Sequence, residues 1–253
     1  MSRRVPAAQT LISIRDYAHA VICASKLDGD VLTKPQAGVL WAQFMVETGG
    51  SHCYGWNIGN VKHVDGDGYD YQCLVGTWEC YPHDVARALI ETGQAVESTN
   101  PSHIKAAGPM RTAVIFQPPH PMTCFRVYAS LDDAMTHHLA FLRRRFASSW
   151  PCVLRGDPDG FAHALKAGRD GIEGTGDDYF TADAKLYAAG MRNYHNIWMR
   201  APAYDEALAK VLAESEAITM PDLPNPPSKP TVLVEFDRVH PDVPLGRPTL
   251  DDE

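Results

Sequence analysis

The stretch "KPQAGVLWAQFMVETGG", residues 34–50, constrains this chain more than any other. Pro35 stands where a first helical turn tolerates it, and Gly49-Gly50 predicts the stop. Between them the residues are almost all apolar, and Glu47 breaks the pattern. Steps of three, four and seven residues put Leu40, Gln43, Phe44 and Glu47 on one stripe. The carboxyl therefore comes onto an apolar face at the negative end of a helix. Both surroundings disfavour the ionised form and predict a raised pKa. A carboxyl that keeps its proton near neutral pH is what a glycosidase needs to protonate a leaving oxygen. The competing reading is a solvent-exposed glutamate in a last turn.

Around that helix the pattern predicts an α+β domain, mostly helical, over residues 1–220, and a proline-rich linker and tail over 221–253. "SIRDYAHAVICASKLDGD" has helical spacing at Tyr17, Val21, Ile22 and Leu27, and ends at Gly29. Residues 51–82 are rich in Gly, Asp, Asn, Tyr and Trp, and read as a small β-hairpin lobe. Residues 83–108 read as a helix followed by loop, and "TAVIF" and "CFRVYAS" as short strands. Ser130 followed by Asp132 and Asp133 is a helix start, because the hydroxyl caps free amides and the acids oppose the dipole. That helix carries Leu131, Met135, His138, Leu139, Leu142 and Phe146 along one side. A short helix at "GFAHALKAG", a long one capped by Thr181 and a last one at "PAYDEALAKVLAESEAI" complete the domain. "PDLPNPPSKP" is a stiff linker, and "TVLVEF" is strand-like. The tail reads as a docking element or as a strand folded back on the domain.

With 253 residues, 45% hydrophobic and 21% charged, the chain has the composition of a globular protein. Its formal net charge of −8 argues against sequence-independent nucleic-acid binding; "LRRRF" (142–146) reads as cations at a helix C-terminus. No apolar run is long enough for a membrane span or a signal peptide. The expectation is synthesis in the cytoplasm, and action at the cell wall or periplasm only after specialised delivery or lysis. Six cysteines contain no C-x-x-C pair. Cys73 and Cys80 lie symmetrically about Gly76-Thr77, where a hairpin turn would set them opposite each other.

The residues after Glu47, "GGSHCYGWNIGN", supply groups that suit sugar rings. Tyr54 and Trp56 offer flat faces, and Asn57 and Asn60 both donate and accept hydrogen bonds. In order along the chain come "AGVLWAQFMVETGG", "NIGNVK", "GTWECY", "FRVYASLDDAMTHHLAFL" and "YFTADAKLYAAGM". This series resembles the bacterial β-N-acetylglucosaminidase family of peptidoglycan hydrolases, of the flagellar-rod and autolysin type. The resemblance spans roughly residues 12–200 and implies a lysozyme-like fold. It implies Glu47 as the general acid, Glu79 as an auxiliary carboxylate on the opposite face of the sugar, and Tyr179 as a cleft residue near the acid. Tyr128 and Ser130 match its "Y.S" element, and Trp78 and Tyr187 fall in its motifs as further substrate-binding candidates. "TGGSH" stands where that family has a tryptophan, and "YFTADAKLY" departs from "YATDP.YA". The implied reaction is cleavage of the β-1,4 bonds between N-acetylglucosamine and N-acetylmuramic acid. Water assisted by Glu79, the substrate's N-acetyl group, or attack by a sugar 6-hydroxyl would complete it. The implied partners are peptidoglycan strands, with a delivery apparatus or an immunity protein beside them.

Rival readings rest on other residues. Eleven histidines suggest a metal-dependent amidase or peptidase, but no H-E-x-x-H is present and His138 lies on an apolar stripe, as a core histidine does. The loops "HVDGDGYD" and "RDGIEGTGDD" are rich in aspartate, and Asp170, Asp177 and Asp178 are calcium candidates, without the EF-hand spacing. No organic cofactor is implied. A thiol nucleophile at Cys53 would need His52 or His63 placed beside it. A catalytically inactive cell-wall-binding module is the alternative of a different class.

Overall fold

The computed structural model describes residues 2–27, 29–168, 170–172, 179–180 and 183–218, with side chains to residue 215. Internal contacts join the chain as far as Ile218 into one unit. The proline-rich tail and Thr181 lie outside the described residues. The architecture is α+β and mostly helical, with small antiparallel sheets.

The chain begins with β1 (Gln9–Leu11) and enters α1 (Ile14–Leu27) and then α2 (Lys34–Thr48). α2 starts where expected: Pro35 occupies its first turn, and the Gln36 side chain accepts the Thr33 N–H at 2.8 Å. Ala37 through Phe44 are all buried, so α2 runs through the centre of the domain. Burying each Leu or Phe side chain contributes about 1.5–3 kcal/mol, which makes α2 the main anchor of the core. Gly49, with φ of 66°, ends it in the left-handed conformation.

Next come β2 (His52–Tyr54), β3 (Asp70–Cys73) and β4 (Trp78–Pro82). After them are α3 (His83–Glu91), β5 (Ala95–Glu97), α4 (Pro101–Ala107), β6 (Arg111–Phe116) and β7 (Cys124–Val127). The expected hairpin within 51–82 does not form. β2 pairs with β1, β3 with β7, and β4 with β6, all antiparallel. Gly76, at φ of 80°, does turn the chain, but the strands on either side of it diverge to different partners. Cys73 therefore faces Cys124, and Cys80 faces Ala113. What stands there instead is a larger lobe, β4-α3-β5-α4-β6, built around its own small core of Ala86, Ala95, Val114 and Phe116. Residues 83–108, expected to end as loop, supply its third strand and second helix.

The chain then returns to the helical body through α5 (Leu131–Arg145), α6 (Trp150–Arg155), α7 (Pro158–Lys166), α8 (Ala184–Arg200) and α9 (Ala203–Ile218). Ser130 caps α5 by accepting the Asp133 N–H at 3.1 Å, and the predicted apolar stripe of α5 is buried. α8 is capped by Asp183, whose carboxylate accepts the N–H groups of Lys185 and Leu186. α2 packs closely on α8. A Cβ on Gly38 would meet the Trp198 ring at 2.6 Å and the His195 ring at 2.9 Å, so only glycine fits this crossing. Trp198 Nε1 donates to the Lys34 carbonyl at 2.8 Å, and His195 Nε2 lies 3.1 Å from the Pro35 carbonyl. Among the described residues no helix is long and apolar enough to cross a membrane.

Candidate functional site

Glu47 sits in the last turn of α2, and three neighbouring segments close on it. From the 57–61 turn, the Asn60 side-chain amide donates to the Glu47 carbonyl at 2.8 Å. This satisfies one of the acceptors that a helix end leaves free. Asn60 itself lies at φ of 50°, a conformation asparagine tolerates better than bulkier residues. Gly59 lies flat on His138, where a Cβ would meet the ring at 2.6 Å. From α8, the Tyr187 hydroxyl donates to Glu47 Oε1 at 2.6 Å. From the chain before α8, the Tyr179 hydroxyl donates to the Gly59 carbonyl at 3.2 Å, and Phe180 stacks on the Tyr187 ring at 3.9 Å.

Burial pushes the Glu47 carboxyl up to about 7; the hydrogen bond from Tyr187 opposes this, and the charge of Glu79 adds to it. Glu47 as a whole residue keeps some exposure. An acid that is partly exposed yet stripped of water belongs to a wall rather than to the core. The second carboxylate comes from the lobe. Burial raises Glu79 above the usual carboxylate range, and the neighbouring Lys62 cation opposes that. Burial in turn lowers Lys62 to about 8, with Glu79 holding it up. The Lys62 ammonium donates to the Met122 carbonyl at 2.6 Å and lies 3.8 Å from the centre of the Phe125 ring. The two carboxyls thus differ in one respect: Glu79 has a cation that favours its ionised form, and Glu47 has only a hydroxyl.

Other predicted site residues have different employment. Asn57 is buried; its amide donates to the Val61 and Arg126 carbonyls, and its oxygen accepts the Val61 N–H at 2.8 Å. Its bonding capacity is spent on the turn, which removes it from the sugar-binding set. Tyr128 is buried, with its hydroxyl paired to His137 Nδ1 at 2.9 Å, and is likewise a core residue. Tyr187 is buried between Phe180 and Glu47, so it holds the acid and offers no open face. Trp78 stacks on His103 within the lobe, with ring centres 4.0 Å apart. Tyr54 is exposed on the β1–β2 ribbon. Trp56, at φ of 58°, lines a groove of about 700 Å³ together with Leu11, Arg15, His19, Leu131 and Lys210, a set that does not include Glu47.

Asp170 accepts the N–H of Ile172, while the calcium candidates Asp177 and Asp178 lie outside the described residues. In the earlier aspartate loop, Asp67 spends its oxygens on Arg126, Val64 N–H and Tyr69 N–H, which argues against calcium there. Among the described residues no group of three or more His, Cys, Asp or Glu side chains is placed to hold a metal ion. His138 is a core residue: Nε2 pairs with Gln43 Oε1 at 3.1 Å, and burial lowers its pKa to about 3. The residues missed from sequence are Lys62 and Phe180. Lys62 ends the "NIGNVK" motif, so a signal was present, whereas Phe180 had none beyond its place beside Tyr179.

No family model, no curated protein and no solved structure matches this chain.

Proposed function

We propose that this protein is a glycoside hydrolase of the lysozyme-like kind that cuts the β-1,4 glycan strands of bacterial peptidoglycan. The observation that carries the reading is the Glu47 carboxyl, raised to about 7, bonded to the Tyr187 hydroxyl and accompanied by a second carboxylate, Glu79. The substrate class comes from the resemblance of five ordered motifs to the β-N-acetylglucosaminidase family. An acid with this pKa stays largely protonated up to neutral pH, so it can deliver a proton to the glycosidic oxygen as the bond breaks. Burial raises Glu79 and Lys62 opposes the rise; in its ionised form Glu79 would be suited to stabilise the positive charge that develops on the sugar, or to activate the incoming water. Tyr187 positions the acid. The place of action would be the cell wall, reached by a dedicated delivery route or at lysis.

Clearing of a peptidoglycan suspension tests this. The wild type should clear it, and Glu47→Gln should be slower by about 10²–10⁴-fold, the usual contribution of a general acid. Equal clearing by both proteins ends the proposal. If neither clears, but both sediment with the insoluble wall, a binding module replaces the enzyme. Mass spectrometry of the digest, read for reducing ends against anhydro products, identifies the group that completes the reaction.

A further inference from the structure

We propose that Cys73 and Cys124 are a covalent modification site, forming a disulfide that closes the neck of the lobe carrying Glu79. The register carries the inference. Leu74 N–H donates to the Thr123 carbonyl at 2.9 Å, which makes 74 and 123 a hydrogen-bonded pair. Cys73 and Cys124, one step along β3 and β7, are therefore a directly opposed pair that exchanges no backbone hydrogen bonds with each other, the Cys124 carbonyl turning instead to the His63 N–H. At such a pair the Cα atoms lie about 4.5 Å apart, and disulfides span about 4.4–6.8 Å. The two sulfurs are 2.6 Å apart, and both residues are buried. Among the described residues no other pair of cysteine sulfurs is in contact.

The position explains what a bond here would do. The chain leaves the body at Cys73 and Leu74, builds β4, α3, β5, α4 and β6, and returns at Thr123 and Cys124. A bridge at this point ties the two ends of the lobe together at its base and limits how far Glu79 can swing from Glu47. It also closes a long loop in the unfolded chain, the case in which a crosslink stabilises most.

Bond formation follows thiol–disulfide exchange with oxidised glutathione. One cysteine thiolate attacks a glutathione sulfur and releases one reduced glutathione. The second cysteine thiolate displaces the other from the mixed disulfide. Two S–H bonds are lost, one S–S bond forms, and the electron pair reduces one glutathione disulfide to two thiols. Burial pushes the Cys73 thiol up to about 11, so exchange is slow in the folded protein and fast once the strands part. The inference stands whether or not Glu47 acts on glycans.

The test uses the full-length chain in a glutathione buffer at pH 8, one sample kept folded and one passed through urea. Each is then alkylated and mapped by peptide mass spectrometry. The expected result is the Cys73 peptide linked to the Cys124 peptide, in the urea-treated sample at least, with the other four cysteines alkylated. Tm should rise by about 5–10 °C over the dithiothreitol-treated protein, and a Cys73→Ser/Cys124→Ser variant should lack that rise. Both thiols alkylated in both samples, a Cys73–Cys80 link, a mapped bridge that leaves Tm unmoved, or the same rise in the double variant each overturns the proposal.

Discussion

Glu47 and Glu79 stand in two differently built parts of the molecule. Glu47 ends a helix packed on nearly every side, pinned by Asn60 at its carbonyl and by Tyr187 at its carboxyl. Glu79 sits in a three-stranded sheet whose own buried core is only Ala86, Ala95, Val114 and Phe116. The body fixes its acid; the lobe carries its carboxylate on a smaller, separately cored piece. The proposed glycan cleavage would use that asymmetry, since a proton donor must be held at the scissile oxygen, whereas its counterpart has to accommodate a long polymer entering and leaving.

The contrast can be broken in order of expected effect. Exchanging the carboxyls comes first: Glu47→Gln should cost about 10²–10⁴-fold in clearing rate, and Glu79→Gln about tenfold. Equal losses would remove the difference in their roles. Deleting one core ring from each part comes second. Phe44→Ala and Phe116→Ala should each cost about 3–5 kcal/mol locally. Hydrogen exchange should then rise across the whole domain for the first, and only over 78–116 for the second. A global response to Phe116→Ala would make the lobe part of the body.

Third is the proton linkage of Glu47. A carboxyl whose pKa rises from 4.5 to about 7 on folding binds its proton more tightly when folded. Between those values the unfolded chain holds fewer protons, so stability falls as pH rises, by at most about 3 kcal/mol. Glu47→Gln should therefore be more stable than wild type at pH 8, with the gap closing toward pH 4.5. Thermal melts across that range check it, and a constant gap would mean the carboxyl is hydrated. The smallest effect is expected for Tyr187→Phe. Removing the donor that favours the charged form should raise the Glu47 pKa further and carry the alkaline limb of the activity profile upward. An unmoved limb assigns that limb to another group.

What was legible in the chain was local. The start and stop of α2, the stripe carrying Glu47 and the Ser130 cap all follow from residues within one or two turns of each other, and all appear as expected. Strand partners were not legible, because β3 and β4 look like a hairpin across Gly76-Thr77, yet each pairs with a strand dozens of residues away. Nothing at Cys80 says that Ala113 rather than Cys73 will face it. The site was read in part for the same reason. Glu47 announced itself by a charge in an apolar stripe, while Asn57 and Tyr128 carry groups that suit a sugar and are consumed by the fold. A residue type declares what it can bond, and only the pairing of distant segments decides what it does bond.

The glycine at the crossing of α2 and α8 has one more consequence. Trp198, the ring that occupies the space of a missing side chain at Gly38, rides on the same rigid rod as Tyr187, eleven residues or roughly 16 Å further back. A single methyl added at position 38 would have to displace the Trp198 and His195 rings, which sit on the helix that carries Tyr187. The placing of Tyr187 against Glu47 thus depends on the far end of the same helix, and on a residue with nothing on it.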